Sequence, residues 1–183
     1  LKNIDSLPDA PEWWGAYHTE EHQMFEQYAA IEPLDQCDIP NGATILRLMC
    51  VFSIKRDFLG FIDKYKCRIV VMGNEEQAEK DYDKSFSPTA QIATLRLLVI
   101  ISLQFGLMMT HCDVSNAFLH AFHINPEKEV YCRFAPGMIV KGKTFGAIKR
   151  AVYGMHEASL SWYETSHAFL VSLGFERSDI EPC

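Results

Sequence analysis

Few residues in this chain are suited to chemistry, and Asp113 is the most conspicuous. It stands in the stretch from Thr110 to Ala121, directly after an apolar run and before a small-polar-small-aromatic turn that carries Phe118. Such a stretch delivers one carboxylate to the mouth of a core and sets a flat ring beside it. An aspartate there either caps the turn or offers hard oxygen donors to a divalent cation. Basic side chains gather elsewhere: Lys55 to Arg68 holds five bases against two acids, and Lys141 to Arg150 holds four bases and no acid. Clustered cations can meet phosphate, or they can simply be the solvated sides of a strand pair and a loop. The run from His18 to His22 fits H-x-x-E-H, a zinc pattern when both histidines share a helical face. It has no third ligand in view, and a solvated face of an acidic helix is the preferred reading.

Composition bounds the alternatives. The chain has 183 residues, 48% hydrophobic and 12% aromatic, enough for one compact domain or a domain with a small appendage. The net charge of −7 argues against wholesale nucleic-acid binding, but the charge is unevenly spread. Nine acids and no Lys or Arg lie between Asn3 and Leu46, so two basic patches sit on an otherwise acidic protein. The six cysteines are scattered with no C-x-x-C pair, which favours reduced thiols and disfavours a zinc knuckle. No apolar run approaches the roughly 20 residues that a membrane span requires.

The elements that must position these residues can be sketched from periodicity. Asp9, Pro11 and Glu12 predict a capped helix start, with the helix continuing to about Tyr28. Pro33, Pro40 and Asn41-Gly42 predict loop. Thr44 to Ile54 and Tyr65 to Met72 read as two strands of a hairpin whose long connection is Lys55 to Lys64. Gly73 to Asp83 reads as a surface loop. Gln91 to Phe105 is too long and apolar for a strand and predicts a buried helix stopped by Gly106. Leu107 to Val114, Val130 to Phe134 and Thr144 to Ile148 read as strands. Glu157 to Leu173 predicts a last helix capped by Gly174. Mixed α and β is the class that follows.

Several runs, taken in order, are similar to one family. Val51 to Asp57 resembles V-F-K-I-K-R-D, and Lys64 to Gly73 resembles K-Y-K-A-R-L-V-A-K-G. Asp81 to Pro88 resembles D-Y-D-E-T-F-S-P, with Thr94 to Leu98 following at matching spacing. Asp113 to Leu119 is similar to D-V-K-T-A-F-L, and Ala151 to Met155 to A-L-Y-G-L. Ser161 to Tyr163, Ser172 to Ser178 and Glu181 to Cys183 complete the series. The chain therefore resembles the reverse transcriptases of Ty1/copia-type retrotransposons, over roughly Trp13 to its end.

The resemblance implies an α+β fold, the fingers and partial palm of a right-handed polymerase, with an antiparallel sheet backed by helices. It suggests an N-terminal acidic helix and loop over 1–43, a fingers-like hairpin and helix over 44–106, and a partial palm over 107–183. Asp113 would be the catalytic carboxylate that binds Mg²⁺, helped by the backbone carbonyl of Val114. Lys55, Arg56, Lys66 and Arg68 would be candidates for contact with the nucleotide's phosphates. Phe118 would lie under the nucleotide sugar, and Tyr153 and Gly154 near the template base. The Lys141 to Arg150 patch would either touch template phosphates or be a solvated loop. The implied partners are an RNA template, a DNA primer, deoxynucleotides and the remaining Pol polyprotein, with no membrane. The implied location is intracellular, in cytoplasmic virus-like particles.

Departures from the family pattern carry their own expectations. His156 to Leu160 stand where the family has K-Q-A-P-R, Met72 replaces a lysine, and the loop from His123 to Glu129 is lengthened. The Y-V-D-D hairpin with the other two metal-binding carboxylates is expected beyond Cys183. One acid does not hold two divalent cations, so this chain alone is expected not to polymerise DNA. A decayed, non-catalytic remnant that binds RNA or a protein partner is the alternative.

Overall fold

The computed structural model describes residues 1, 3–122 and 128–179. The Glu181 to Cys183 motif and most of the lengthened loop at 123–129 lie outside the described residues. A 3-10 turn, Ile4–Ser6, leads into helix α1 (Ala10–His22), which continues as a π-helical turn, Gln23–Gln27. Pro11 occupies the first turn as expected, but the capping box does not form, because the Asp9 side chain makes no cap hydrogen bond. The Asp9 carboxylate faces the Tyr65 hydroxyl instead and raises the pKa of that phenol. A tertiary partner has displaced the local one.

Strand β1 (Ile31–Leu34) forms where loop is predicted. Pro33 is compatible with it because, among the described residues, β1 pairs on one side only, and a sheet edge tolerates a missing N–H. Strands β2 (Ile45–Arg56) and β3 (Ile62–Val71) make the expected antiparallel hairpin, in register from Leu48 opposite Val71 to Lys55 opposite Lys64, with a one-residue shift before Arg56 opposite Ile62. Both strands run further than their apolar stretches indicate. Lys55 pairs with Lys64, and the connection shrinks to residues 57–61. Two short strands, β4 (Val130–Arg133) and β5 (Phe145–Ile148), complete a five-stranded sheet in the order β1-β5-β4-β2-β3.

The sheet is mixed rather than wholly antiparallel. The first residues of β2, Ile45 to Arg47, run parallel to Tyr131 to Arg133 of β4, while the rest of β2 pairs antiparallel with β3. One strand thus serves two neighbours in succession, and the sheet curls along it. Ile31, Leu46, Leu48, Ile69, Val71, Val130, Cys132 and Ile148 make the buried side, with Tyr17, Met24 and Phe25 from the first helix and its π-turn packed against them.

Helix α2 (Ile92–Phe105) is where predicted and ends at Gly106 in the left-handed conformation (φ +64°), but none of its residues is buried. The predicted burial is wrong for a physical reason. The helix is apolar all round, a pattern that calls for cover on every side, and the described chain puts no surface over it. The predicted strand over Leu107 to Val114 is also absent: these residues have no ladder partner and run as irregular chain. A four-residue helix, α3 (Ala117–His120), and the terminal helix α4 (Ala158–Ser172) follow.

The charge segregation of the sequence resolves into ion pairs. Lys141 meets Glu26 at 3.0 Å, Lys149 meets Glu32 at 3.5 Å, and Lys143 meets Asp35. The basic run at 141–150 is therefore largely matched by the acidic N-terminal segment. The predicted surface loop at 73–83 is better anchored than its polarity suggests, since Asp81 is buried and accepts the Gln77 N–H at 2.8 Å.

Candidate nucleotide cleft

Alternation along β3 explains the first wall of the site. Cys67, Ile69 and Val71 point into the core, which puts Lys64, Lys66 and Arg68 on the opposite side. Lys55 stands across the hairpin from Lys64. The irregular segment after α2 brings Asp113 and Val114 to the same place, and the turn after β5 brings Tyr153. These side chains, with Glu20 of α1, line a cleft of about 610 Å³. Six of the sequence-predicted site residues are thereby gathered: Lys55, Lys66, Arg68, Asp113, Val114 and Tyr153.

Three others lie off the cleft wall. Arg56 points to the hairpin turn, donating from Nη1 to the Gly60 carbonyl at 2.9 Å. Phe118 is half-buried behind Tyr153, with ring centroids 5.0 Å apart and planes tilted by 53°. Gly154 is clamped against the end of β3. The Val71 N–H donates to the Tyr153 carbonyl at 2.7 Å, and a β-carbon on Gly154 would stand 2.1 Å from the Val71 carbonyl oxygen. The glycine is there for close approach of two backbones, which fixes Tyr153 beside Arg68. The Arg68 guanidinium carbon lies 5.8 Å from the Tyr153 ring centroid, a cation–π distance.

The electrostatics follow from crowding cations at one wall. Lys66 has its pKa lowered, first by burial and then by Arg68 and Lys55. Burial raises the Tyr153 pKa. Glu20 is buried, and its pKa is raised by that burial, against the opposing pull of the Ile69 N–H, which donates to Oε1 at 3.3 Å, and of Lys66 and Arg68. A wall with more cations than anions, partly removed from water, attracts an anionic ligand.

Glu20 is the cleft residue that the sequence reading passed over, noting it only as part of the H-x-x-E-H run. A signal was available. Trp13, Tyr17, Glu20 and Met24 fall at helical spacing on one face, and all four are buried. His18 of that run has other partners: its Nδ1 lies 3.3 Å from Glu21, and its ring stacks on Trp14. Among the described residues no group of three His, Cys, Asp or Glu is placed to hold a metal. The five described cysteines are free.

The positions that depart from the family pattern near α4 are built into the fold. The carboxylate of Glu76, whose side chain is 1% exposed, accepts the His156 N–H at 2.8 Å and contacts Nδ1 at 2.5 Å. The His156 ring stacks on Tyr82 at 4.5 Å, and Glu157 accepts the Asp83 N–H at 3.1 Å. Together these contacts tie the 73–83 loop to the start of α4.

A curled mixed sheet with four helices, holding a carboxylate and a basic hairpin across one cleft, is compatible with the fingers and part of the palm of a right-handed polymerase. The model of the reverse transcriptase (RNA-dependent DNA polymerase) family matches residues 32–183, and the chain belongs to that family. Its relatives are Ty1/copia-type polyproteins. The retrovirus-related Pol polyprotein from transposon TNT 1-94 of Nicotiana tabacum is 30% identical over 148 residues, which is 80% of this chain and 11% of the relative. The Pol polyprotein from transposon RE2 of Arabidopsis thaliana is 28% identical over 76% of this chain and 10% of its own length. The Ty1-DR4 Gag-Pol polyprotein of Saccharomyces cerevisiae is 26% identical over 85% of the chain and 9% of its own length. The chain thus spans about a tenth of the curated relatives it matches. No solved structure matches it significantly. No helix among the described residues is long and apolar enough to cross a membrane.

Proposed function

We propose that the cleft binds the triphosphate of a deoxynucleotide, as the nucleotide site of an RNA-directed DNA polymerase within a copia-type Pol polyprotein. One observation carries the reading: a carboxylate, Asp113, and three cations, Lys55, Lys66 and Arg68, line the same cleft although up to 58 positions separate them in the chain. Charged groups of both signs around one space suit a ligand that presents phosphates along with a divalent cation. Arg68 is held by Tyr153 and presents a fork to phosphate oxygens. An anion would offset the burial and the neighbouring charges of Arg68 and Lys55 that lower the Lys66 pKa. Phe118 backs Tyr153 and would set how close the nucleotide sugar can come.

The donors available to Mg²⁺ are the exposed Asp113 carboxylate and the adjacent Val114 carbonyl, hard oxygens that fit part of one octahedral shell. When bound, Mg²⁺ would offset phosphate charge during transfer. Since no group of three His, Cys, Asp or Glu among the described residues is placed to hold a metal, we infer that this chain alone does not extend a primer. The template, the primer and the rest of the polyprotein would complete the enzyme, with cytoplasmic particles as its setting.

Calorimetric titration of the chain with a deoxynucleoside triphosphate tests the reading. Arg68→Ala is expected to weaken binding roughly tenfold, in line with the loss of a charge-assisted contact. Asp113→Asn should abolish the enhancement by Mg²⁺ and leave metal-free binding in place. Unchanged affinity in Arg68→Ala would refute the site, and Mg²⁺-dependent primer extension by this chain would refute its incompleteness.

A further inference from the structure

Resting on the nucleotide reading of the cleft, we propose that His156 is a positioning residue for it: the bond to Glu76 locks the Tyr153 turn onto the end of β3 and thereby aims Arg68. His156 itself does not line the cleft. Its reach comes through three contacts, taken one after another along two segments of chain. The Val71 N–H donates to the Tyr153 carbonyl at 2.7 Å, and a β-carbon on Gly73 would run into the Gly154 carbonyl oxygen. Glu76 then takes both the backbone N–H and Nδ1 of His156, at 2.8 and 2.5 Å. Residues 71–76 and 153–156 thus run against each other, and the His156 bond is the last fastening.

The chemistry of the pair makes that fastening stiff. The Glu76 side chain is 1% exposed and that of His156 is 39% exposed, so the histidine covers a carboxylate that water barely reaches. A carboxylate oxygen only accepts, so the close Nδ1 carries the proton. A buried carboxylate that loses a donor has to be rehydrated, which here means moving the turn that carries it. That turn has little freedom. Gly73–Glu75 is a 3-10 turn, the Glu76 N–H donates to the Gly73 carbonyl at 3.0 Å, and Glu75 accepts the Arg47 N–H of β2 at 3.0 Å. The Tyr82 ring, stacked on His156 at 4.5 Å, fixes the imidazole plane. At the other end of the path the Tyr153 ring centroid lies 5.8 Å from the Arg68 guanidinium carbon, and a long side chain in an open cleft takes its direction from such a contact. A change at His156 is passed to Arg68 by backbone rather than by charge.

The test is calorimetric titration of the whole chain with a deoxynucleoside triphosphate, in a cycle of variants. His156→Phe keeps a ring for Tyr82 and removes the donor, whereas His156→Asn keeps a donor at the Nδ1 position and removes the ring. His156→Phe should weaken binding about fivefold, less than Arg68→Ala because it acts through Arg68, and His156→Asn should bind within about twofold of wild type. In the Arg68→Ala background His156→Phe should cost nothing further, the non-additivity that marks one path rather than two. Where His156→Phe loses the folded circular dichroism spectrum, Glu76→Gln keeps the shape and weakens the acceptor; it should show a loss of about threefold and the same non-additivity. Undiminished affinity in the variant that folds, an equal loss in His156→Asn, or a full further loss on top of Arg68→Ala overturns the positioning role. Undiminished affinity in Arg68→Ala would remove the nucleotide site and this role with it. A loss in Arg68→Ala with none in His156→Phe would remove the role of His156 and leave the cleft standing.

Discussion

At Gly154 a β-carbon would lie 2.1 Å from the Val71 carbonyl oxygen, on backbone at φ +95°, so alanine there must push the 151–155 turn off β3. Gly154→Ala is expected to lower the free energy of unfolding by about 2–4 kcal/mol in urea titrations, as backbone strain and a lost contact combine. Gly15 is the internal comparison, because a β-carbon there meets nothing within 4 Å. Gly15→Ala in α1 should raise stability by about 0.5–1 kcal/mol. Glu20 gives a prediction in pH. Its folded pKa is raised, chiefly by burial. Where the unfolded carboxyl ionises and the folded one does not, unfolding releases a proton. Stability therefore falls as pH climbs from the ordinary glutamate range through the raised folded value, and then levels. Glu20→Gln keeps an acceptor for the Ile69 N–H and removes the charge. The gap in stability between wild type and variant should change across that window and stay flat on either side. A constant gap from acid to neutral pH would refute a raised pKa. Asp113 and the hairpin cations could be picked out in the sequence because their types and order are distinctive. The burial of Glu20 shows in the sequence only through its helical spacing from Trp13, Tyr17 and Met24, because its type alone does not set it apart from the other acids of α1.

Helix α2 shows what an apolar pattern leaves open at the scale of an element. Fourteen residues with only Arg96 charged announce a helix that avoids water, and the helix forms, yet Ile100, Leu103 and Phe105 are 60%, 78% and 68% exposed. Periodicity reports that a segment prefers cover, not whether the cover belongs to the same stretch of chain. A variant with Gln at Leu95, Leu98 and Ile100 should unfold within about 0.5 kcal/mol of wild type, because these side chains leave no packed core behind. It should also bind much less of a hydrophobic dye such as anilinonaphthalene sulfonate. A large loss of stability would mean that the helix is packed. The failed strand at Leu107 to Val114 has the same origin, since a strand needs a neighbour and sequence does not say which edge is free. Strands β2 and β3 could be read because each supplies the other's ladder. Their true length was hidden by Lys55 and Lys64, charges that look like loop until they are seen facing outward from a sheet. His156 and Glu157 carry the converse lesson. They read as losses against a family pattern, and in the fold they anchor a loop.

Across the whole molecule, the sheet joins parts of the chain that are far apart in sequence. Ile31 pairs with Ile148, and Ile45 with Tyr131, so β1 and the start of β2 are held by strands made from the last third of the chain. During synthesis the hairpin of β2 and β3, with α1 against it, can form from one continuous stretch of polypeptide. The strand at Ile31–Leu34 cannot, because its one neighbour among the described residues, β5, has yet to leave the ribosome. For the time needed to translate more than a hundred residues, its backbone must stay solvated or find other partners. The curl of the sheet therefore sets a timetable: the basic hairpin can be in place early, while the cleft it faces closes only once Tyr153 has emerged.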